Sequence, residues 1–180
     1  AIAPLVEKGF QVFMFDYSGF GFSEGKATRN NVLQDALSAL AYLKNRVDVK
    51  DTKIVLYGQS LGGHLSAVVA AQEQANIHGL VMEGAFSSHK DIGNHMVPFF
   101  GKLFVKQGYS AMKSIKANHL PLLVIHSTED KTIPFFMGKK VYEQANQPKD
   151  FYEVKQCHIC APQFYADSIA QKINSMLLEK

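Results

Sequence analysis

Ile54-Val55-Leu56-Tyr57-Gly58-Gln59-Ser60-Leu61-Gly62-Gly63-His64-Leu65 decides more about this 180-residue chain than any other stretch. A β-branched, apolar run enters Gly-Gln-Ser-Leu-Gly and leaves it into an Ala-rich segment, Leu65 to Gln74, whose composition suits a helix. A bare Gly-x-Ser-x-Gly arises by chance in roughly 6% of chains this long at ordinary Gly and Ser usage, so the setting carries the argument. Strand, sharp turn and helix in immediate succession lift a serine oxygen clear of the backbone. Side chains at Gly58 and Gly62 would collide where strand and helix pack closest, and glycine tolerates the unusual dihedrals beside the bend. Ser60 is therefore the candidate nucleophile.

Outward from that stretch the chain alternates. Upstream, Gln11 to Phe15 reads as a short apolar strand, followed by a glycine-punctuated loop from Asp16 to Gly25. A helix is predicted from about Asn31, with Leu33, Ala36, Leu37, Leu40, Ala41 and Leu43 at helical spacing. Downstream, Gly79–Glu83, Leu122–His126 and Phe151–Val154 read as strands. Phe135–Gln144 and Tyr165–Leu178 read as helices. Near-continuous apolar strands alternating with helices imply an α/β fold, a mostly parallel sheet covered on both faces. Active groups in such sheets lie just past the C-terminal ends of the strands.

That rule brings three residues to one rim. Ser60 follows one strand, Asp130 follows Leu122–His126 after Ser127-Thr128-Glu129, and His158 follows the last strand after Lys155-Gln156-Cys157. A serine hydroxyl is a weak nucleophile at neutral pH; a histidine must accept its proton and a carboxylate must fix that ring's tautomer. Glu129 and Glu83 compete with Asp130 for the acid role. His64, on the helix after the turn, and His126, on a strand end, read as structural. Asp16 also follows a strand but precedes the nucleophile, and reads as a brace for its own loop.

Composition narrows the remaining classes. A chain 47% hydrophobic and 180 residues long can bury one well-formed core, so a single domain over 1–180 is expected. The formal charge of +3, from 19 basic and 16 acidic residues, comes without a Lys/Arg run, and no nucleic-acid partner is expected. No apolar stretch reaches the ~20 residues of a membrane span. Cys157 and Cys160 are too few and too close for a disulfide framework, which points to a reducing, cytoplasmic compartment. Their Cys-x-x-Cys spacing reads as coincidence: no second pair completes a zinc site, and a thioredoxin-like motif belongs after an early strand rather than near the chain's end.

Phe15-Asp16-Tyr17-Ser18-Gly19-Phe20-Gly21 with Ser23 and Gly25, Gly58 to Gly63, Leu123 to Asp130 with Ile133-Pro134, and finally His158 span nearly the whole chain in a consistent order. Together they resemble the α/β-hydrolase superfamily, in particular the Bem46-like proteins and the monoacylglycerol-lipase and serine-aminopeptidase relatives. The order Ser, Asp, His is the one such enzymes use. The resemblance implies Ser60 as nucleophile, Asp130 as triad acid, His158 as base and the Leu61 amide as one oxyanion donor. It implies a small-molecule acyl ester as substrate and neither metal nor organic cofactor. The family often carries glycine where Ser127 and Cys157 stand.

Two further expectations follow. Ser87 to Leu120 interrupts the alternation and carries Met96, Val97, Pro98, Phe99, Phe100, Leu103, Phe104 and Val105. This cap-like insertion, about 87–120, would wall an acyl pocket or touch lipid. In the family a segment upstream of Ala1 supplies a strand between Gln11–Phe15 and Lys53–Tyr57 together with the second oxyanion donor. The natural protein is thus expected to be longer, with N-terminal strands missing here. The rival functional class is a catalytically impaired hydrolase-like domain that binds a ligand or partner.

Overall fold

The computed structural model describes residues 2–96 and 109–178. Helix α1 spans Ala3–Val6 and α2 Arg29–Lys44. Strand β1 (Val55–Gln59) leads into α3 (Leu61–Gln72), and β2 (Gly79–Glu83) is followed by α4 (His89–Met96) and α5 (Ala111–Ala117). The chain then runs through β3 (Leu122–Ser127), α6 (Phe135–Gln144), β4 (Lys149–Val154) and α7 (Ala161–Leu178). The strands form one sheet in the order β1-β2-β3-β4, every pair parallel, with Gln59 opposite Glu83 and Ser127 opposite Val154. All strand C-termini thus open on one rim.

Strand periodicity shows why both faces must be covered. Leu80, Met82, Leu122 and Val124 point into a core shared with α2, α3, α5 and α6, through Leu40, Leu65, Ile115 and Val141. The alternate residues Val81, Leu123 and Ile125 point the other way, onto Leu5 of α1 and Ile169, Ile173 and Met176 of α7. A side-chain period of two along a strand with apolar residues at every position leaves no face for water. Helix α2 starts two residues before the predicted Asn31 because the Thr28 hydroxyl accepts the Asn31 amide at 3.1 Å as an N-cap.

One predicted element is absent. Gln11–Phe15 forms no strand, and Val12, Phe13, Met14 and Phe15 are exposed. The reason is spatial. A trough of about 960 Å³ separates this segment from β1, lined on one side by Phe10, Val12 and Phe13 and on the other by Val55 to Gln59. A strand exists only as part of a ladder, and an apolar run without a neighbour at hydrogen-bonding distance cannot make one. Among the described residues β1 is accordingly an edge strand.

Of the predicted cap, α4 and α5 are described, whereas Val97 to Val105 lie outside the described residues. Helix α4 is fastened to the main body: Asp91 pairs with Lys140 of α6 at 2.7 Å and accepts the Ser87 hydroxyl at 2.6 Å. Among the described residues no helix is long and apolar enough to cross a membrane.

Candidate active site

Ser60 sits between the end of β1 and the first residue of α3 with φ 52° and ψ −116°. A non-glycine residue held there stores on the order of 1–3 kcal/mol of backbone strain, and persists because its surroundings over-determine it. Its amide donates to the Glu83 carbonyl at 2.9 Å, and its own carbonyl accepts the His64 amide at 3.1 Å. A side chain at Gly58 would overlap the Gly62 carbonyl, and one at Gly63 would lie 2.8 Å from the Ala85 Cβ. At Gly62 the nearest obstacle is the Tyr17 hydroxyl at 3.7 Å. The tight approach expected at Gly58 and Gly62 is thus made at Gly58 and Gly63. Leu61 opens α3, so its N–H is one of the first-turn amides that a helix leaves without an internal acceptor. The Ser60 hydroxyl makes no hydrogen bond among the described residues.

Asp130 and His158 do meet. His158 Nδ1 lies 2.6 Å from Asp130 Oδ2, while Asp130 Oδ1 accepts the Thr132 and Ile133 amides, each at 2.8 Å. Burial works against the Asp130 charge, but the His158 hydrogen bond and the two amides outweigh it and hold the carboxyl below its usual range. An ionised carboxylate can only accept, so Nδ1 carries the ring proton and Nε2 is free to take one. The His158 ring lies on Gly84, where an added Cβ would stand 3.0 Å from Cε1. That glycine follows the Glu83 whose carbonyl holds the Ser60 amide, so the Ser60 turn and the His158 imidazole share the end of β2.

The competitors for these roles have other partners. Glu129 accepts the Gln156 amide at 3.0 Å. Glu83, 2% exposed, accepts from Tyr57, Gln59 and the Ala161 amide. His126 Nε2 is 3.0 Å from the Ile133 carbonyl, an acceptor, and 3.5 Å from Asp130 Oδ2. Burial pushes the pKa of this imidazole down, and its Nδ1, packed on Gly138, has no partner among the described residues. His64 Nδ1 lies 3.1 Å from the Phe86 carbonyl and its Nε2 accepts the Ala111 amide at 3.3 Å. Burial lowers its pKa to about 4. Asp16 accepts the Phe22 amide at 3.2 Å within its own loop.

Contacts around the histidine loop went unread in the sequence. The Ser127 hydroxyl donates to the Gln156 carbonyl at 2.5 Å. Cys157 and Cys160, which the sequence leaves without a role, are joined in a disulfide with their Cα atoms 5.5 Å apart, bracketing His158. Gln156 and Ile159 both adopt positive φ, 93° and 52°, so this loop is strained on either side of the imidazole. The available signal was the pair of positions, Ser127 and Cys157, where glycine is common in the family. Among the described residues no group of three His, Cys, Asp or Glu side chains is placed to hold a metal.

Comparison with known proteins agrees with this architecture. Residues 1–124 match the family model described as alpha/beta hydrolase fold. YfhR of Salmonella typhi is 39% identical over 159 residues, covering 82% of this chain and 54% of that protein. Protein bem46 of Schizosaccharomyces pombe is 33% identical over 127 residues, covering 68% and 42%. The chain therefore spans about half the length of the curated relatives it matches. Among solved structures, the esterase Pf2001 of Pyrococcus furiosus superposes with a TM-score of 0.77 at 20% identity, over 98% of this chain and 74% of that one. The chain belongs to the alpha/beta hydrolase fold family.

Proposed function

We propose that this chain carries the catalytic rim of a serine hydrolase acting on carboxylic esters, with thioesters or lipid esters as the nearest other substrates. The observation that carries the reading is the 2.6 Å contact between His158 Nδ1 and Asp130 Oδ2, formed beside a serine held at φ 52°. His158 Nε2 takes the Ser60 proton as Oγ bonds to the acyl carbon; the same proton then passes to the departing alkoxide. Water, deprotonated by His158, releases the acid and restores Ser60. The Leu61 amide at the N-terminus of α3 holds the oxyanion. A second amide would come from a segment lying in the trough beside β1, which reaches Gly58 to Gly62; lacking one such donor costs about 10²–10³ in rate. In this reading the chain is a single domain, and α4 and α5, the described helices of the 87–120 insertion, stand over the acyl site.

A second reading, a binding domain without turnover, is favoured by the Ser60 hydroxyl having no hydrogen bond among the described residues. Unliganded hydrolases often leave this contact long, so reactivity decides. Wild type and Ser60→Ala are treated with a fluorophosphonate and read by intact mass, with circular dichroism to establish folding. An adduct lost in the variant supports the enzyme; no adduct on folded protein supports the binding domain. An adduct that requires a chain extended upstream of Ala1 assigns the second oxyanion donor to that extension.

A further inference from the structure

Glu83 is a buried carboxylate that the proposed chemistry does not use. It ends β2, is 2% exposed, and pairs with no cation among the described residues. Three donors converge on its two oxygens instead. Oε2 accepts the Tyr57 hydroxyl at 2.9 Å and the Gln59 side-chain amide at 2.7 Å; Oε1 accepts the Ala161 backbone amide at 2.8 Å. Tyr57 and Gln59 stand two residues apart on β1, and Gln59 is the last residue before Ser60. Ala161 is the first residue of α7, three after His158. The Gln59 amide also reaches the Ile159 carbonyl at 3.3 Å, and the Glu83 backbone carbonyl holds the Ser60 amide.

We infer that Glu83 is a positioning residue that sets the nucleophile turn and the histidine loop in register with each other. This rests on the reading of Ser60 and His158 given above. Leaving a carboxylate without a cation in a core is costly unless charge-assisted hydrogen bonds surround it. Here those bonds run to the two segments whose relative placement the reaction needs. Asp130 orients the imidazole ring about its own axis, and nothing in that contact fixes the distance from His158 to Ser60. Glu83 supplies that constraint from the opposite side, holding β1 at Gln59 and the loop's exit at Ala161.

Glu83→Gln keeps the shape but makes one donor face another, since an amide has one oxygen for three incoming N–H and O–H groups. The companion Tyr57→Phe removes one of the three donors but leaves the carboxylate bonded to Gln59 and Ala161, so it controls for the loss of one hydrogen bond while the turn and the loop stay joined. Each protein is read well below its melting temperature in two ways. One is the fluorophosphonate labelling rate against pH. The other is the downfield proton NMR signal of the His158 Nδ1–H bound to Asp130.

Glu83→Gln is expected to label about 10- to 100-fold more slowly and to broaden the His158 signal, while Tyr57→Phe keeps both near wild type; equal slowing in the two variants would overturn the inference. A Glu83→Gln protein that melts earlier but keeps the labelling rate, its pH profile and the His158 signal would show a purely structural carboxylate and overturn the inference. If wild type itself does not label, the reading of Ser60 fails and the NMR signal alone decides: loss in Glu83→Gln with retention in Tyr57→Phe supports Glu83, and the same behaviour in both variants overturns it.

Discussion

The Ser127 hydroxyl donates to the Gln156 carbonyl at 2.5 Å and accepts the Glu129 amide at 3.0 Å, so one side chain at the end of β3 ties the Asp130 loop to the His158 loop. Two segments 29 residues apart in sequence thereby share a fixed edge, and the Asp130–His158 contact forms across it.

Ser127→Ala removes that tie. It is expected to cost about 1–3 kcal/mol of stability, as for two partly buried hydrogen bonds, and to slow fluorophosphonate labelling of Ser60 about tenfold through a misplaced imidazole. Urea melts and labelling time courses on the same preparations separate the two effects; an unchanged labelling rate would show that the 2.6 Å His158 contact holds without Ser127.

The turn glycines give an internal contrast. Gly58→Ala forces a methyl into the Gly62 carbonyl and the Ser66 hydroxyl, with an expected loss of about 1–3 kcal/mol and of Ser60 reactivity. Gly62→Ala meets only the Tyr17 hydroxyl at 3.7 Å and lies within α3, so it should be neutral or stabilising by up to about 1 kcal/mol. Equal losses for both in chemical denaturation would contradict the packing described for the turn.

Acid should weaken the fold in two windows. His64, buried and with its pKa lowered to about 4 from 6.5, stays neutral while the unfolded chain's histidine protonates. The unfolded state then binds more protons, and stability falls as pH drops from 6.5 to about 4, by at most about 1.4 kcal/mol per pH unit for this group. His126 and His89, also lowered chiefly by burial, add in the same direction. Asp130, held below the ordinary 3.8, contributes stability that is lost only as pH falls below that value. Thermal melts at about pH 7, 5.5 and 4.5 should descend steadily; a flat profile across that range would mean that His64 titrates normally.

Reducing the Cys157–Cys160 bond frees a loop whose Gln156 and Ile159 already hold positive φ. Closing so short a ring contributes about 2 kcal/mol in the chain-entropy account. The Cys157→Ser/Cys160→Ser variant, and wild type kept in excess dithiol, are expected to melt several degrees lower and to label more slowly, with recovery on reoxidation of wild type alone. Identical labelling of oxidised and reduced wild type would show that Asp130 and Glu83 suffice to hold His158.

Much of this was legible along the chain. Gly79–Glu83 and Phe135–Gln144 keep their predicted bounds because local period and flanking residues agree there with the tertiary packing. Ser60, Asp130 and His158 could be placed on one rim because in a parallel sheet every strand's C-terminus faces the same way. The order of Ser60, Asp130 and His158 along the rim is therefore a property of the sequence itself. Gln11–Phe15 marks the boundary of that legibility: its apolar pattern is a strand's, but a ladder needs a neighbour, and across the trough β1 is too far to be one. The same holds for Glu83, Ser127 and the two cysteines. Hydrogen bonds and a disulfide between segments distant in sequence depend on which loops the sheet brings within a few ångströms, so only the tertiary structure decides that Glu83 meets Ala161, that Ser127 meets Gln156, and that Asp130 rather than Glu129 meets His158.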